Sequence, residues 1–213
     1  MKFKIKYLDL ERQYKLIDKE LNIKIKKIFK NSSFILRDEV KIFEKTICKL
    51  LNVKYCVGLN SGTDALLMAM SQLNLKKNDE VITVSHTYIA SVSAIVHVGA
   101  KPIYVDIQED FNIDHSLIEK KINKKTKAIL IVHLNGRCCQ MDKITAISKK
   151  YKIPIIEDCA QSLGSKFKNK FSGTFGLAGA FSLHPMKSLS VPGDGGFLVT
   201  NNQKVYKNIS LLR

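Results

Sequence analysis

The chain is 213 residues long, enough for one large domain or two small ones, and enough to bury a core without a metal or disulfide staple. Hydrophobic residues at 45% and charged residues at 25% lie near the globular average, which excludes wholesale disorder, and no apolar run approaches the roughly 18 residues that cross a bilayer. The formal charge is +16, yet only Arg12, Arg37, Arg137 and Arg213 among the 35 basic residues are arginine. With no basic stripe and no known module, this favours a lysine-rich solvated surface and argues against nucleic-acid and membrane partners.

Met1 to Lys6 alternates lysine with apolar residues and lacks an apolar signal core or a small-residue cleavage site. A soluble, cytoplasmic protein is expected. Leu10, Tyr14, Ile17, Leu21, Ile25 and Ile28 then recur at steps of three and four, the signature of one helical face. A second helix is expected from about Asp38 to Leu51, with Val40, Phe43, Ile47 and Leu50 turned inward.

Beyond this point short apolar runs alternate with helical stretches. The runs are Tyr55–Leu59, Val81–Val84, Pro102–Val105, Ala128–Val132 and Pro154–Ile156. The helices between them are about Thr63–Leu73, Ile89–Val98, Ser116–Ile122 and Asp142–Tyr151. Continuously apolar strands separated by helices predict an α/β fold, a mostly parallel sheet with helices on both faces. Candidate strands Ala178–Leu183 and Gly196–Thr200 follow, and a last helix begins near Gln203. That helix is still running at Arg213, just after the apolar pair Leu211 and Leu212, so the chain reads as one large domain cut short.

Five cysteines (Cys48, Cys56, Cys138, Cys139, Cys159) form no CxxC pair, and the five histidines form no HExxH. Free thiols in a reducing compartment and no metal are expected. Neither GxxxxGK nor GxGxxG is present, which leaves simple NTPase and dinucleotide readings without their main support.

In an open α/β sheet, ligands gather at the carboxyl ends of the strands, so the polar residues that follow each run carry the functional information. Asn60-Ser61-Gly62-Thr63 leads from a strand into a helix, an arrangement that suits a phosphate or an ordinary N-cap by Ser61 or Thr63. Ser85-His86-Thr87-Tyr88 puts a hydroxyl, an imidazole and an aromatic ring at the next strand end; a tyrosine there is either core or a stacking platform. His133 and Gly136 follow the fourth run. Glu157 and Asp158 end the fifth, and two carboxylates there are costly without a cationic partner. Asp158 is expected to face the site, the alternative being a cap of the next turn. Lys187, between the proline turn of His184-Pro185 and the glycines of Gly193-Asp194-Gly195-Gly196, suits a desolvated nucleophile, although any single lysine here is surface by default. A phosphate, a flat ring, a protonated nitrogen and an aldehyde are together the features of pyridoxal 5'-phosphate (PLP).

The series NSGTDAL (60–66), SHTYIAS (85–91), VHLNG (132–136), EDCAQSLGS (157–165) and FSLHPMK (181–187) with GDGG (193–196) resembles the DegT/StrS family of PLP-dependent sugar aminotransferases, in order and from Tyr7 to Arg213. The resemblance implies the large domain of the aspartate-aminotransferase fold (PLP fold type I) over 1–213, with an N-terminal helical segment over about 1–52 and the C-terminal small domain missing. It implies transfer of an amino group, usually from glutamate, to a nucleotide-linked keto-sugar, and a homodimer. By matching position, Lys187 would be the Schiff-base lysine and proton shuttle, and Asp158 would pair with the pyridine nitrogen. Gln161 would lie near the ring hydroxyl, Tyr88 would stack on the ring, and Gly62, Thr63 and Ser182 would hold the phosphate. Arg37, Asn135, Arg137-Cys138-Cys139-Gln140, Leu177 and Ser190 depart from the family pattern. The alternative is a catalytically inactive remnant or a regulatory protein on the same fold.

Overall fold

A computed structural model describes residues 5–213, so residues 1–4 of the leading lysine-apolar alternation lie outside the described residues. The chain divides into two compact units, one ending at Phe43 and one running from Glu44 to Arg213.

The first unit is built on α1 (Leu10–Lys30). Asp9 caps it by accepting a hydrogen bond from the Arg12 N–H at 3.1 Å, and Lys27 and Lys30 lie in the last turn, where the helix dipole favours cations. The predicted helix is present, but its apolar stripe is not buried. Leu21 and Ile28 are half-buried, and Leu10, Tyr14, Ile17 and Ile25 are exposed. A unit this short offers too little apolar surface of its own to cover a 21-residue helix.

In α2 (Asp38–Leu51), Ile47 and Leu51 are buried and Val40 and Phe43 half-buried. The inward assignment of Leu50 is corrected: it is 49% exposed. The stripe continues from Ile47 to its i+4 neighbour Leu51, not to its i+3 neighbour.

The second unit is organised by a seven-stranded sheet. Its strands are β1 (Tyr55–Leu59), β2 (Glu80–Val84), β3 (Lys101–Val105), β4 (Thr126–Val132), β5 (Ile155–Asp158), β8 (Ala178–Ser182) and β9 (Gly196–Thr200), in the order β1-β9-β8-β5-β4-β2-β3. Neighbours from β8 through β3 pair in parallel. Strand β9 is antiparallel to both β1 and β8 and so runs against the rest of the sheet. Helices α3 (Gly62–Ser71), α4 (Ile89–His97), α5 (His115–Lys121), α6 (Met141–Tyr151) and α7 (Gln203–Leu212) supply the crossovers and the end of the chain.

Side-chain alternation assigns the helices to faces. Val81, Ala128, Leu130 and Ile156 join Ala65, Leu66, Ala90, Ala94, Val205 and Ile209, so α3, α4 and α7 cover one face. Ile82, Val84, Ile129, Ile131 and Ile155 join Ile118, Met141, Ile144 and Ile147, so α5 and α6 cover the other. Successive residues of a strand point to opposite faces, so a strand buried on both sides is continuously apolar. This is why the runs were visible in the sequence, with ends placed to within two residues.

The hairpin of β6 (Lys166–Phe167) and β7 (Lys170–Phe171) was not anticipated. Its strands are two residues long, below any periodicity test. Its signal was the alternation Lys-Phe-Lys-Asn-Lys-Phe, with Lys168 in the left-handed region at φ 52° and the Lys166 ammonium 4.3 Å from the Phe171 ring centroid.

At Gly179, strand β8 is packed too closely for a side chain. A methyl group on Gly179 would overlap the Gly173 backbone, reaching 2.8 Å from its carbonyl carbon. Backbone cannot swing aside as a side chain does. Gly179→Ala is therefore expected to destabilise the chain by about 1–3 kcal/mol, the usual cost of overpacking, seen as a lower denaturant midpoint with an unchanged slope.

Candidate active site

The carboxyl ends of the parallel strands open on one edge of the sheet, and the polar residues that follow them meet there. After β1, Ser61 caps α3: its Oγ accepts from the Asp64 N–H at 3.0 Å and donates to the Asp64 carboxylate at 2.6 Å. The cap is thus Ser61, not Thr63, and the exposed Thr63 hydroxyl and the first amides of α3 are left for another partner. Gly62 is required by space. A Cβ there would lie 2.7 Å from Ser182 Cβ, and one on Gly196 would lie 2.6 Å from the Gly62 nitrogen. The start of α3, the end of β8 and the start of β9 thus touch through their backbones. Gly62, Thr63 and Ser182, singled out from sequence, form one small cradle at a positive helix end, where an anion is favoured.

The two carboxylates at the end of β5 part company. Ile155 faces α5 and α6 and Ile156 faces α3 and α4, so the alternation sends Glu157 to the first side and Asp158 to the second. Glu157 is fully buried and accepts four hydrogen bonds. They come from the N–H groups of Gly173 (2.8 Å), Phe175 (2.7 Å) and Gly176 (2.6 Å) and from His133 Nε2 (3.0 Å). His133 Nδ1 accepts from the Cys139 N–H at 3.1 Å, which leaves the ring hydrogen on Nε2, directed at Glu157. Sequence reasoning had assigned Glu157 and His133 no such task. His133, Glu157 and Cys159 bring ligand-type atoms within 4.8 Å of one another, but the four donors already occupy the Glu157 oxygens, so the trio reads as a clamp on the 173–176 loop.

Asp158 is 5% exposed and faces the site. Ser91 Oγ donates to its Oδ2 at 2.7 Å and the Ala160 N–H to its Oδ1 at 3.0 Å. Burial pushes the carboxyl above its ordinary range; these two donors and, after them, His133 and Lys187 oppose the shift without cancelling it. The Ser91 contact was not foreseen. Ser91 stood inside a recognised segment, but its bond depends on how α4 docks against β5.

Lys187 is half-buried in the turn that follows β8, its N–H bonded to the His184 carbonyl at 2.8 Å. Tyr88 stands at the N-terminus of α4 and is 75% exposed, which removes the core alternative for it. Gln161 is exposed, and its Oε1 accepts from the Asn135 N–H at 2.7 Å. Asn135 adopts φ 54°, a left-handed conformation that asparagine tolerates. Leu177, the other departure in this region, packs against the core on the α3–α4 face.

The family model of the DegT/DnrJ/EryC1/StrS aminotransferases matches residues 15–213. The chain belongs to this family. It is 39% identical over 210 residues to a dTDP-3-amino-3,6-dideoxy-alpha-D-galactopyranose transaminase of Aneurinibacillus thermoaerophilus, covering 98% of this chain and 58% of that protein. It is 37% identical over 207 residues to a "pleiotropic regulatory protein" of Geobacillus stearothermophilus, covering 97% and 56%. Among solved structures, S. venezuelae DesV in complex with a ketimine intermediate superposes with a TM-score of 0.94 at 35% identity, over 98% of this chain and 57% of that one. NtdA of Bacillus subtilis, with bound cofactor PMP, gives 0.88 at 31% identity, over 97% and 47%. The fold is therefore that of PLP fold type I, as expected, and the chain spans a little over half the length of the curated relatives it matches.

The raised Asp158 carboxyl has a consequence for stability. A folded state that binds this proton more readily than the unfolded chain is favoured most below the unfolded value and loses that contribution as the pH rises through the folded one. Asparagine keeps the shape without the charge. Cofactor-free Asp158→Asn is expected to melt roughly 2–4 °C above the unsubstituted chain at pH 7.5, the shift that about 1 kcal/mol gives in a chain of this size. The difference should close toward pH 4. A lower melting temperature at pH 7.5 would contradict this account.

Proposed function

We propose that this chain is the cofactor-binding part of a PLP-dependent aminotransferase. It would move an amino group, with glutamate as donor, to a nucleotide-linked keto-sugar in the making of cell-surface polysaccharide or deoxyaminosugars. One observation carries the reading. A buried carboxylate at the end of β5, a half-buried lysine in the turn after the neighbouring strand β8, and a glycine–hydroxyl cradle at a helix N-terminus share one edge of the sheet. The residues fit the cofactor in chemistry. Asp158 is buried yet retains lone pairs beyond its two donors, as a partner for a ring N–H must. The close approach of Gly62 to Ser182 leaves backbone and hydroxyls, not bulk, where a phosphate would rest.

In this assignment Asp158 faces the pyridine nitrogen and holds its proton by charge. Lys187 anchors the aldehyde carbon through its ε-amino group, and afterwards takes and returns the proton at the substrate carbon. Tyr88, exposed at the start of α4, covers the ring face. Gln161, whose carbonyl end is engaged by Asn135, offers its NH2 end to the ring hydroxyl. Gly62, Thr63 and Ser182 hold the phosphate. When bound, the cofactor supplies an electron sink that lets a C–H bond next to nitrogen break. Similarity to the sugar transaminase and to the structures holding a ketimine and PMP supports the substrate class and the cofactor.

We further propose a homodimer acting in the cytoplasm. The uncovered apolar stripe of α1 supports association, and no helix among the described residues is long and apolar enough to cross a membrane. The assignment of residues 1–213 as one PLP-binding large domain with an N-terminal helical segment over about 1–52 is part of the same proposal. A second reading, a regulatory protein on this fold, is favoured by similarity to the Geobacillus pleiotropic regulatory protein.

Two measurements separate these readings. The purified chain mixed with PLP is expected to gain a visible absorption band that Lys187→Ala abolishes; the same band in the variant would remove Lys187 from its role. Adding glutamate should then convert the band to that of the amine form. A chain that binds PLP through Lys187 but does not respond to glutamate would favour the regulatory reading.

A further inference from the structure

Asp158 is held from one side by a short chain of hydroxyls. Thr87 Oγ1 lies 2.8 Å from Ser91 Oγ, and Ser91 Oγ donates to Asp158 Oδ2 at 2.7 Å. Ser91 has one proton. With that proton on the carboxylate, the contact with Thr87 is made by the Thr87 hydroxyl donating to the Ser91 oxygen. A hydroxyl that accepts one hydrogen bond donates a stronger one. Ser91 is fully buried, whereas Thr87 is half-buried directly before Tyr88, so the chain runs from the mouth of the site to the acid.

We propose that Thr87 and Ser91 are positioning residues that fix the rotation of the Asp158 carboxylate and hold it in its charged form for the cofactor's ring nitrogen. The proposal rests on the cofactor reading above. The Ala160 N–H takes Oδ1 and Ser91 takes Oδ2, which sets the carboxylate plane and leaves a lone pair on each oxygen. The other charged or titratable groups around Asp158 are Lys187 after β8, His133 after β4, and its chain neighbours Glu157 and Cys159. The His133 ring hydrogen is committed to Glu157 on the opposite face, and Glu157 is spent on its four donors. Lys187 is the group that must change partners during amino transfer. Ser91 is thus the constant side-chain donor to Asp158, and neither hydroxyl need touch the reacting atoms.

The test uses the full chain carrying aspartate labelled with ¹³C at the carboxyl carbon, so that Asp158 is titrated by NMR without cofactor, and PLP affinity is measured by absorbance from pH 6 to 9. In Ser91→Ala the Asp158 midpoint is expected to rise by about one pH unit, the effect of losing one hydrogen bond to a charged group. PLP binding should weaken roughly tenfold below that midpoint and recover as the pH passes it. Ser91→Thr, which keeps the hydroxyl, should titrate like the unsubstituted chain. Thr87→Val, at a half-buried position, should shift the midpoint the same way by less, and it decides the matter if Ser91→Ala fails to fold. An unchanged midpoint, or an affinity loss that is the same at every pH, would overturn the proposal and leave Ser91 a packing residue. If the unsubstituted chain does not bind PLP, the cofactor reading fails and the relay has no ring nitrogen to serve. A shifted midpoint in cofactor-free Ser91→Ala would then still establish the contact itself.

Discussion

The alternation of side chains at the end of β5 is the constraint on which the site depends. Two carboxylates adjacent in sequence cannot share one buried environment without severe repulsion and desolvation. A strand resolves this by geometry alone, because consecutive residues face opposite sides of the sheet. Glu157 goes to the α5–α6 side, where three backbone N–H groups and His133 surround it. Asp158 goes to the α3–α4 side, where it receives two donors. The first is a fully satisfied structural anchor and the second an under-satisfied group with capacity to spare. Their different environments, not their chemistry, set the two apart.

The cradle follows from the same sheet. Parallel strands place their carboxyl ends on one edge, and β9, running the other way, brings its first residue to that edge. Three backbone segments can meet there only if side chains are absent at the meeting points, hence Gly62 and Gly196. Residues separated by as much as 125 positions in sequence, from Gly62 to Lys187, follow strands that end at this edge, so the topology brings distant motifs to it.

Much of this was legible in the sequence because the signals were local. The strands declared themselves as apolar runs, since each is covered on both faces. Gly62, Asp158 and Lys187 stood within four residues of the ends of such runs, where an open sheet places its ligands. What was hidden depended on how elements dock. Ser91 in the first turn of α4 and Thr87 just before it are common residue types at a helix start, and their line to Asp158 exists only once α4 lies against β5. The pairing of His133 with Glu157 likewise needs the register of β4 against β5, in which Val132 sits beside Asp158. Leu50 and Leu51 are equivalent to a periodicity argument, and packing chose between them. The stripe of α1 was read correctly as a pattern, but a pattern states what a helix could bury, not what is available to cover it.

The Asp158 environment also sets a conflict between folding and chemistry. A carboxylate surrounded by many donors, as Glu157 is, would be comfortable and unavailable. A carboxylate with none would neutralise itself and lose the charge a ring nitrogen requires. Two donors, one from the backbone of its own turn and one from a hydroxyl on α4, leave it between these limits. The bare fold carries the desolvation cost, which the proposed cationic partner would recover on binding. Such residual strain is what one expects where binding energy is to be concentrated on one atom of a ligand, as the proposed cofactor site requires of Asp158.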